Sequence, residues 1–138
     1  MNYRYLFRGK KAVVGENEFV IGCLLYTGDG RPTIITAPEF PIRKDTEFEG
    51  TADSWLVYPD TVGQCTGITD KNGTLIFEGD IFKNTVTGTV FFVKWDYGHF
   101  VRVNKERYFL ALSTQSVGEC EVIGNIHDTP ELLDGSGA

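Results

Sequence analysis

The sequence contains no long hydrophobic run and has fewer basic than acidic residues. No apolar segment approaches the roughly 18 to 20 residues that a membrane-spanning helix needs, so we expect no membrane partner. Residues 1–8 also lack the apolar stretch of a secretory signal. Thirteen Lys and Arg against 19 Asp and Glu give a formal net charge of −6, which disfavours a generally basic nucleic-acid binder and a polybasic membrane-surface protein. We therefore expect a cytoplasmic protein.

Cysteines and catalytic motifs are equally scarce. Cys23, Cys65 and Cys120 are odd in number and far apart, which argues against a disulfide framework and a zinc site. We expect three free thiols, buried as small hydrophobic side chains in a reducing compartment. His99 and His127 have no partner at metal-ligand spacing, and the chain has no Gly-rich phosphate loop or nucleophile elbow. The sequence therefore predicts no enzyme and no catalytic, cofactor or metal residue; the alternative is a Cys–His dyad that folding assembles.

The residue types that are abundant favour β-structure. Val, Ile, Thr, Phe, Tyr and Trp number 53, against 40 strong helix formers, and such side chains suit a pleated, half-buried surface. Residues 37–53 predict a loop, with an edge strand around Phe40 to Arg43 as an option. The other segments alternate between apolar runs and turn residues. They predict strands at residues 3–8, 19–26, 33–36, 54–58, 66–68, 75–77, 81–83, 90–95, 100–103, 108–112 and 121–126.

The second half of the chain has the clearer turn and helix-capping signals. Asn72-Gly73 between apolar runs predicts a tight hairpin turn with two positive-φ residues. Thr129 to Gly135 predicts one short helix, with Thr as N-cap, Pro at the first position and Gly past the end. The strands with turns every eight to ten residues predict a small SH3-like barrel within 61–127. The expected architecture is a β subdomain over 1–60, packed on a barrel subdomain over 61–138 that ends in the helix.

Two motifs resemble a known family. The segment from Pro59 to Gly73 (PDTVGQCTGITDKNG), followed by Ile76 to Ile81 (IFEGDI), is similar to the central signature of the YopX family of phage and prophage proteins. The ending from Glu121 to His127 (EVIGNIH), followed by Pro130 to Leu133 (PELL), is similar to that family's C-terminus. The opening residues and Phe19 to Gly22 fit more weakly.

The resemblance spans nearly the whole chain, and it departs from the family in a few places. Cys65 stands where the family more often has an aromatic residue, Phe19 replaces a common Trp, and residues 43–54 match no family motif. The resemblance implies a phage or prophage origin and a β-rich fold. It supplies no catalytic residue, because the family has no established biochemical activity.

An acidic cluster lies within the central signature. Asp70, Asn72, Glu78 and Asp80 begin like a calcium loop, but such a loop needs a Glu at its twelfth position, counted from the first ligand as position one, and Ile81 holds that place. The favoured interpretation is structural: Asp70 and Asn72 form the turn, and Asp80 caps a backbone bend through its side chain.

An aromatic hairpin supplies the candidate binding surface. A turn at Asp96-Tyr97-Gly98 gathers aromatic and basic side chains, and one interpretation of them is a stacking platform for single-stranded nucleic acid. The favoured interpretation is that Trp95 and Phe100 face the core while Tyr97 caps the hairpin, because aromatic residues in strands mostly pack. The candidate residues are Trp95, Tyr97, His99, Phe100 and Arg102.

The functional expectation is a non-enzymatic phage or prophage module in the host-cell cytoplasm that binds protein, including copies of itself. The segment from Phe19 to Tyr26 is eight residues long without a charge and is apolar on both faces, so we expect it to contribute to a homo-oligomer interface. The alternative is a nucleic-acid-associated accessory protein that acts through the aromatic hairpin from Trp95 to Phe100.

Overall fold

The structure, a computed structural model, describes residues 5–36, 53–106 and 109–134. The described residues form antiparallel strands and short 3₁₀ segments, with no α-helix among them. The predicted mainly β class is therefore confirmed. The chain divides into two compact units, which contain the described residues 5–64 and 65–134.

The first unit is a meander of four strands. They are β1 (Phe7–Lys10), β2 (Phe19–Tyr26), β3 (Pro32–Thr36) and β4 (Asp53–Leu56), and each pairs with the next. Beyond β4 the chain returns to β1, because Tyr58 N–H donates to Lys10 O at 2.9 Å and Ala12 N–H donates to Leu56 O at 2.7 Å. The other end of β1 pairs with the start of β5 (Gly63–Thr69), which begins in this unit and ends in the second.

Alternation along β2 separates a buried from an exposed face. Gly22 is buried and Leu24 half-buried, beside the fully buried Ile34 of β3. Ile21, Cys23 and Leu25 lie on the other face and are exposed. The prediction that all three cysteines are buried is therefore wrong for Cys23, since its odd position in β2 places it outside, while Cys65 and Cys120 are buried as expected.

The second unit has an open five-stranded sheet. Its strands are β7 (Asp80–Asn84), β8 (Val90–Asp96), β9 (His99–Val103), β10 (Phe109–Ala111) and β11 (Cys120–Asn125), in the order β10-β9-β8-β7-β11, and β6 (Leu75–Phe77) pairs with β5. The core cluster includes Phe82 and Phe91, whose rings stack at 5.7 Å. Replacing either ring with Ala removes well-packed volume, which costs about 3–5 kcal/mol.

The SH3-like barrel is not confirmed. Within the described part of the chain, β10 and β11 occupy opposite edges of the sheet and do not pair, so the sheet does not close. β10 has only three residues and pairs with β9, while β11 pairs along its length with β7. The predicted terminal helix is present as a 3₁₀ helix, Pro130–Asp134, in which Leu132 N–H donates to Thr129 O at 3.1 Å.

Most predicted strands are present with shifted ends. The first strand begins at Phe7, later than predicted, and residues 3 and 4 lie outside the described residues. The optional edge strand around Phe40 to Arg43 also lies outside them.

Candidate functional site

The aromatic hairpin joins β8 to β9 through a two-residue turn. Tyr97 and Gly98 have φ of 50° and 82°, the two positive values that a type I′ turn requires. Trp95 and Phe100 pair directly across the strands, with ring centroids 4.8 Å apart at 75°. The hairpin is therefore closed by an edge-to-face aromatic pair.

The register of the strands distributes the five candidate residues over different places. Trp95, Phe100 and Arg102 share one face of the hairpin, because Trp95 lies opposite Phe100 and Arg102 is two residues further along β9. His99 lies on the other face, opposite Asp96, and its Nδ1 is 3.3 Å from Tyr97 O. Tyr97 stands at the tip, 93% exposed.

Two of the candidates are engaged in packing. Phe100 packs against the core cluster of the second unit. The Arg102 guanidinium lies over the Phe91 ring at 5.1 Å, and its buried Nε has no hydrogen-bond partner among the described residues. The most exposed aromatic side chains of the hairpin are therefore Tyr97 and the half-exposed Trp95.

A second exposed surface lies in the first unit. Ile21, Leu25 and Leu56 are 41%, 54% and 40% exposed, and Cys23 is exposed between the two β2 residues. These four residues lie on one side of the β2–β3–β4 meander, since Leu25 pairs with Thr33 and Thr33 with Leu56. We call them the exposed apolar face. The uncharged run from Phe19 to Tyr26 pointed to this surface, whereas Leu56 carries no such signal in the sequence.

Asp70 and Asp80 of the acidic cluster have the structural roles that the favoured interpretation predicted. Asp70 Oδ1 accepts the N–H groups of Asn72 and Thr74, both at 2.9 Å, and Oδ2 accepts Val122 N–H at 2.9 Å. Burial acts to raise the pKa of Asp70, but these three bonds and nearby Lys71 outweigh it and hold the pKa below its ordinary value. Asp80 Oδ2 accepts Phe77 N–H at 2.7 Å.

The described residues were compared with the requirements of a metal site and of a reactive thiol. No group of three or more His, Cys, Asp or Glu side chains in those residues has an arrangement that could hold a metal ion. Burial raises the pKa of the Cys120 thiol, which favours the unreactive protonated form. Cys23 is accessible, but it lies on an apolar strand face.

Among the described residues, no helix has the length and apolar character to cross a membrane.

Comparison with known proteins relates this chain to a solved structure and to a protein family. The crystal structure of protein EF1440 from Enterococcus faecalis is similar to this chain with a TM-score of 0.58 and 27% sequence identity, and the match covers 92% of this chain and 96% of that one. No curated protein matches. The family model described as YopX protein matches residues 30–134, which include both motifs that carry the resemblance. By this match over more than half of its length, the chain belongs to the YopX family.

Proposed function

We propose that this protein is a non-enzymatic phage or prophage module of the host cytoplasm that binds protein, and that its first partner is a second copy of itself. The observation that supports this is the exposed apolar face: two large aliphatic side chains of β2 and one of β4 stand about half exposed on one side of a sheet. Isolated exposed hydrophobic residues are ordinary, but a contiguous group of them marks interaction sites.

The charge pattern suits a second copy. Each chain carries a net charge of −6, so two copies repel each other, and acidic residues at their contact would add to that repulsion. Residues 19–26 contain no charged residue, and pairing two exposed apolar faces opposes no like charges along that strand. A self-complementary patch of this kind fits the two-fold dimer, the commonest closed assembly.

Substitutions on the exposed apolar face test the proposal. Light scattering on a sizing column should give more than the monomer mass for the full chain at micromolar concentration. Leu25→Glu should raise the dissociation constant by at least about tenfold, because a charge buried without a partner costs several kcal/mol. Val14→Glu is the matched control, since Val14 is 97% exposed and lies outside this face.

Two results would contradict the proposal. A monomer mass for the unmodified chain overturns self-association. Equal dissociation by Leu25→Glu and Val14→Glu shows that the added charge alone is responsible and removes the exposed apolar face from the interface. Val20 and Leu24 are unsuitable test positions, since both lie on the other face of β2 and their substitution threatens the fold.

A second candidate function rests on Tyr97. A bulky side chain at positive φ is strained, and such outliers occur at functional sites. Tyr97 and Trp95 offer stacking surfaces for the bases of a single nucleic-acid strand. Titration of labelled oligothymidine at several salt concentrations tests this function: it requires salt-dependent binding that Tyr97→Asn weakens, and the absence of such binding eliminates it.

A further inference from the structure

One edge of β4 carries backbone groups that no described residue pairs with. Val57 N–H donates to Pro32 O. Because hydrogen bonding alternates along an antiparallel pair, Trp55 and Asp53 also direct their backbone groups toward β3. Ser54 and Leu56 point to the opposite edge, and Leu56 O there accepts Ala12 N–H. Among the described residues, Ser54 N–H, Ser54 C=O and Leu56 N–H have no hydrogen-bond partner.

A groove runs along this edge. A bridge between Lys11 and Val57 joins the residue after β4 to the residue after β1. The groove lies next to this bridge, between Ala12 and Val13 on one side and Ser54 to Leu56 on the other. The cavity has a volume of about 470 Å³, which lies within the range of ligand-binding clefts. Its wall is half apolar, from Ala12, Val13, Trp55 and Leu56, and half polar, from Thr27, Arg31, Thr33 and Ser54.

Two side chains make the groove a formed site. Lys11 Nζ lies 3.9 Å from the centroid of the Trp55 ring and holds that ring by a cation–π contact. Thr33 Oγ1 is buried and has no hydrogen-bond partner among the described residues. A buried hydroxyl without a partner costs free energy, and an occupant that offers a donor or acceptor removes that cost.

We propose that this groove, the β4 groove, binds an extended segment of a partner polypeptide, which adds as a strand to the free edge of β4. The free donors and acceptor follow strand geometry, and only an extended backbone presents complementary groups with that repeat. The apolar part of the wall, which Ala12, Val13, Trp55 and Leu56 form, favours aliphatic or aromatic side chains at alternate positions of the segment. The polar part of the wall favours small polar side chains such as Thr between them.

This inference goes beyond the proposed function, because it concerns the backbone edge of β4 and requires no second copy of the chain. The β4 groove shares Leu56 with the exposed apolar face. The two tests use positions that are not shared, Leu25 and Ser54, so failure of one proposal is distinguishable from failure of the other.

The experiment uses three fluorescein-labelled octapeptides with lysine at both ends, in which Val, Leu or Phe alternates with Thr. Fluorescence anisotropy with the full chain should show saturable binding of at least one peptide. Ser54→Pro removes the outward N–H and spares the pairing with β3, so it should weaken binding about tenfold, the contribution of roughly one hydrogen bond. Ser54→Thr keeps the N–H and should bind like the unmodified protein.

A second measurement leaves the protein unchanged. The same peptide N-methylated at alternate residues keeps its side chains but loses the donors of one edge. It should lose binding, and the Ser54 and Leu56 amide signals should shift in NMR spectra only with the unmethylated peptide.

The proposal is overturned if none of the three peptides binds up to millimolar concentration. It is also overturned if the methylated peptide binds equally, since side-chain contact alone then suffices. Binding that is lost on methylation but is unaffected by a folded Ser54→Pro variant places the pairing at another edge and equally overturns it. If Ser54→Pro melts at a lower temperature than Ser54→Thr by more than a few degrees, the NMR shifts of Ser54 and Leu56 decide.

Discussion

At the scale of single residues, Asp70 provides hydrogen-bond acceptors for three backbone N–H groups. Its two carboxylate oxygens accept three N–H groups, two from its own turn and one from Val122 of β11. The residue is only 6% exposed, so its charge is stabilised by these bonds rather than by water. The Asp-x-Asn-Gly pattern indicated the turn, but the sequence gives no sign of the bond to Val122, which lies 52 residues away.

The depressed pKa of Asp70 predicts a pH dependence of stability. A carboxyl whose pKa is lowered by folding stabilises the protein above its unfolded pKa, and this contribution is lost as the pH falls through the lower folded pKa. Asp70→Asn should lower the free energy of unfolding at pH 7 by about 1–3 kcal/mol, because its amide cannot accept all three bonds.

Urea denaturation between pH 7 and pH 3 measures this effect. The difference between Asp70→Asn and the unmodified protein should begin to shrink below about pH 4, where the Asp70 carboxyl of the unfolded chain becomes protonated, and should shrink further as the pH falls through the lower folded pKa. The exposed Asp134 supplies the control variant Asp134→Asn. A constant difference across the whole pH range would show that the Asp70 charge is not involved.

The strain at Tyr97 gives a second residue-scale prediction. Asn tolerates the left-handed conformation and is the preferred first residue of a type I′ turn. Tyr97→Asn should therefore increase the free energy of unfolding by about 1 kcal/mol, whereas Tyr97→Phe keeps the strain and should change little. Thermal unfolding of both variants checks this, and an Asn variant no more stable than the Phe variant contradicts it.

At the scale of elements, two hairpins show what turn sequences do and do not determine. Asn72-Gly73 predicted two positive-φ residues, but among the described residues only Gly73 of this pair has positive φ, at 82°. That prediction is wrong for Asn72, because Gly73 N–H donates to Asp70 O and the loop is a type I turn followed by a left-handed Gly. The two-residue type I′ turn instead forms at Tyr97-Gly98, where no Asn marks it.

The turn at Gly73 predicts a conformational penalty without a steric one. A Cβ at Gly73 meets no atom within 4 Å, so the cost of Gly73→Val comes from its φ of 82° alone and should be about 1–3 kcal/mol. Gly28→Val is the control, since Gly28 has equally open space and no positive φ. Equal thermal stability of the two variants would remove the argument from positive φ.

At the scale of the whole molecule, the sequence predicted the β class and nearly all the strands, because alternation and turn residues are local signals. It did not predict the open sheet of the second unit or the return of β4 to β1. Both depend on pairings between distant segments, such as Lys11 with Val57, for which a single sequence contains no local signal. The candidate site shows the same limit. The sequence located the hairpin correctly, but the face of the hairpin on which Arg102 and His99 lie depends on the register between β8 and β9.

The last prediction uses the labelling rate of the exposed Cys23 to detect self-association. Cys65 and Cys120 are fully buried, so a thiol reagent should label only Cys23 rapidly in the native protein and should reach the other two in denaturant. Because Cys23 lies within the exposed apolar face, its labelling rate should fall as the protein concentration rises into the range where the oligomer forms. Leu25→Glu should keep the rate high at every concentration.

The control is Val14→Glu, whose labelling should follow that of the unmodified protein. A Cys23 rate that stays constant while light scattering records an oligomer would place the interface elsewhere on the chain. Slow labelling of all three thiols in the dilute monomer would instead show that another part of the same chain covers this face, which leaves no apolar surface at β2 for a second copy to bind.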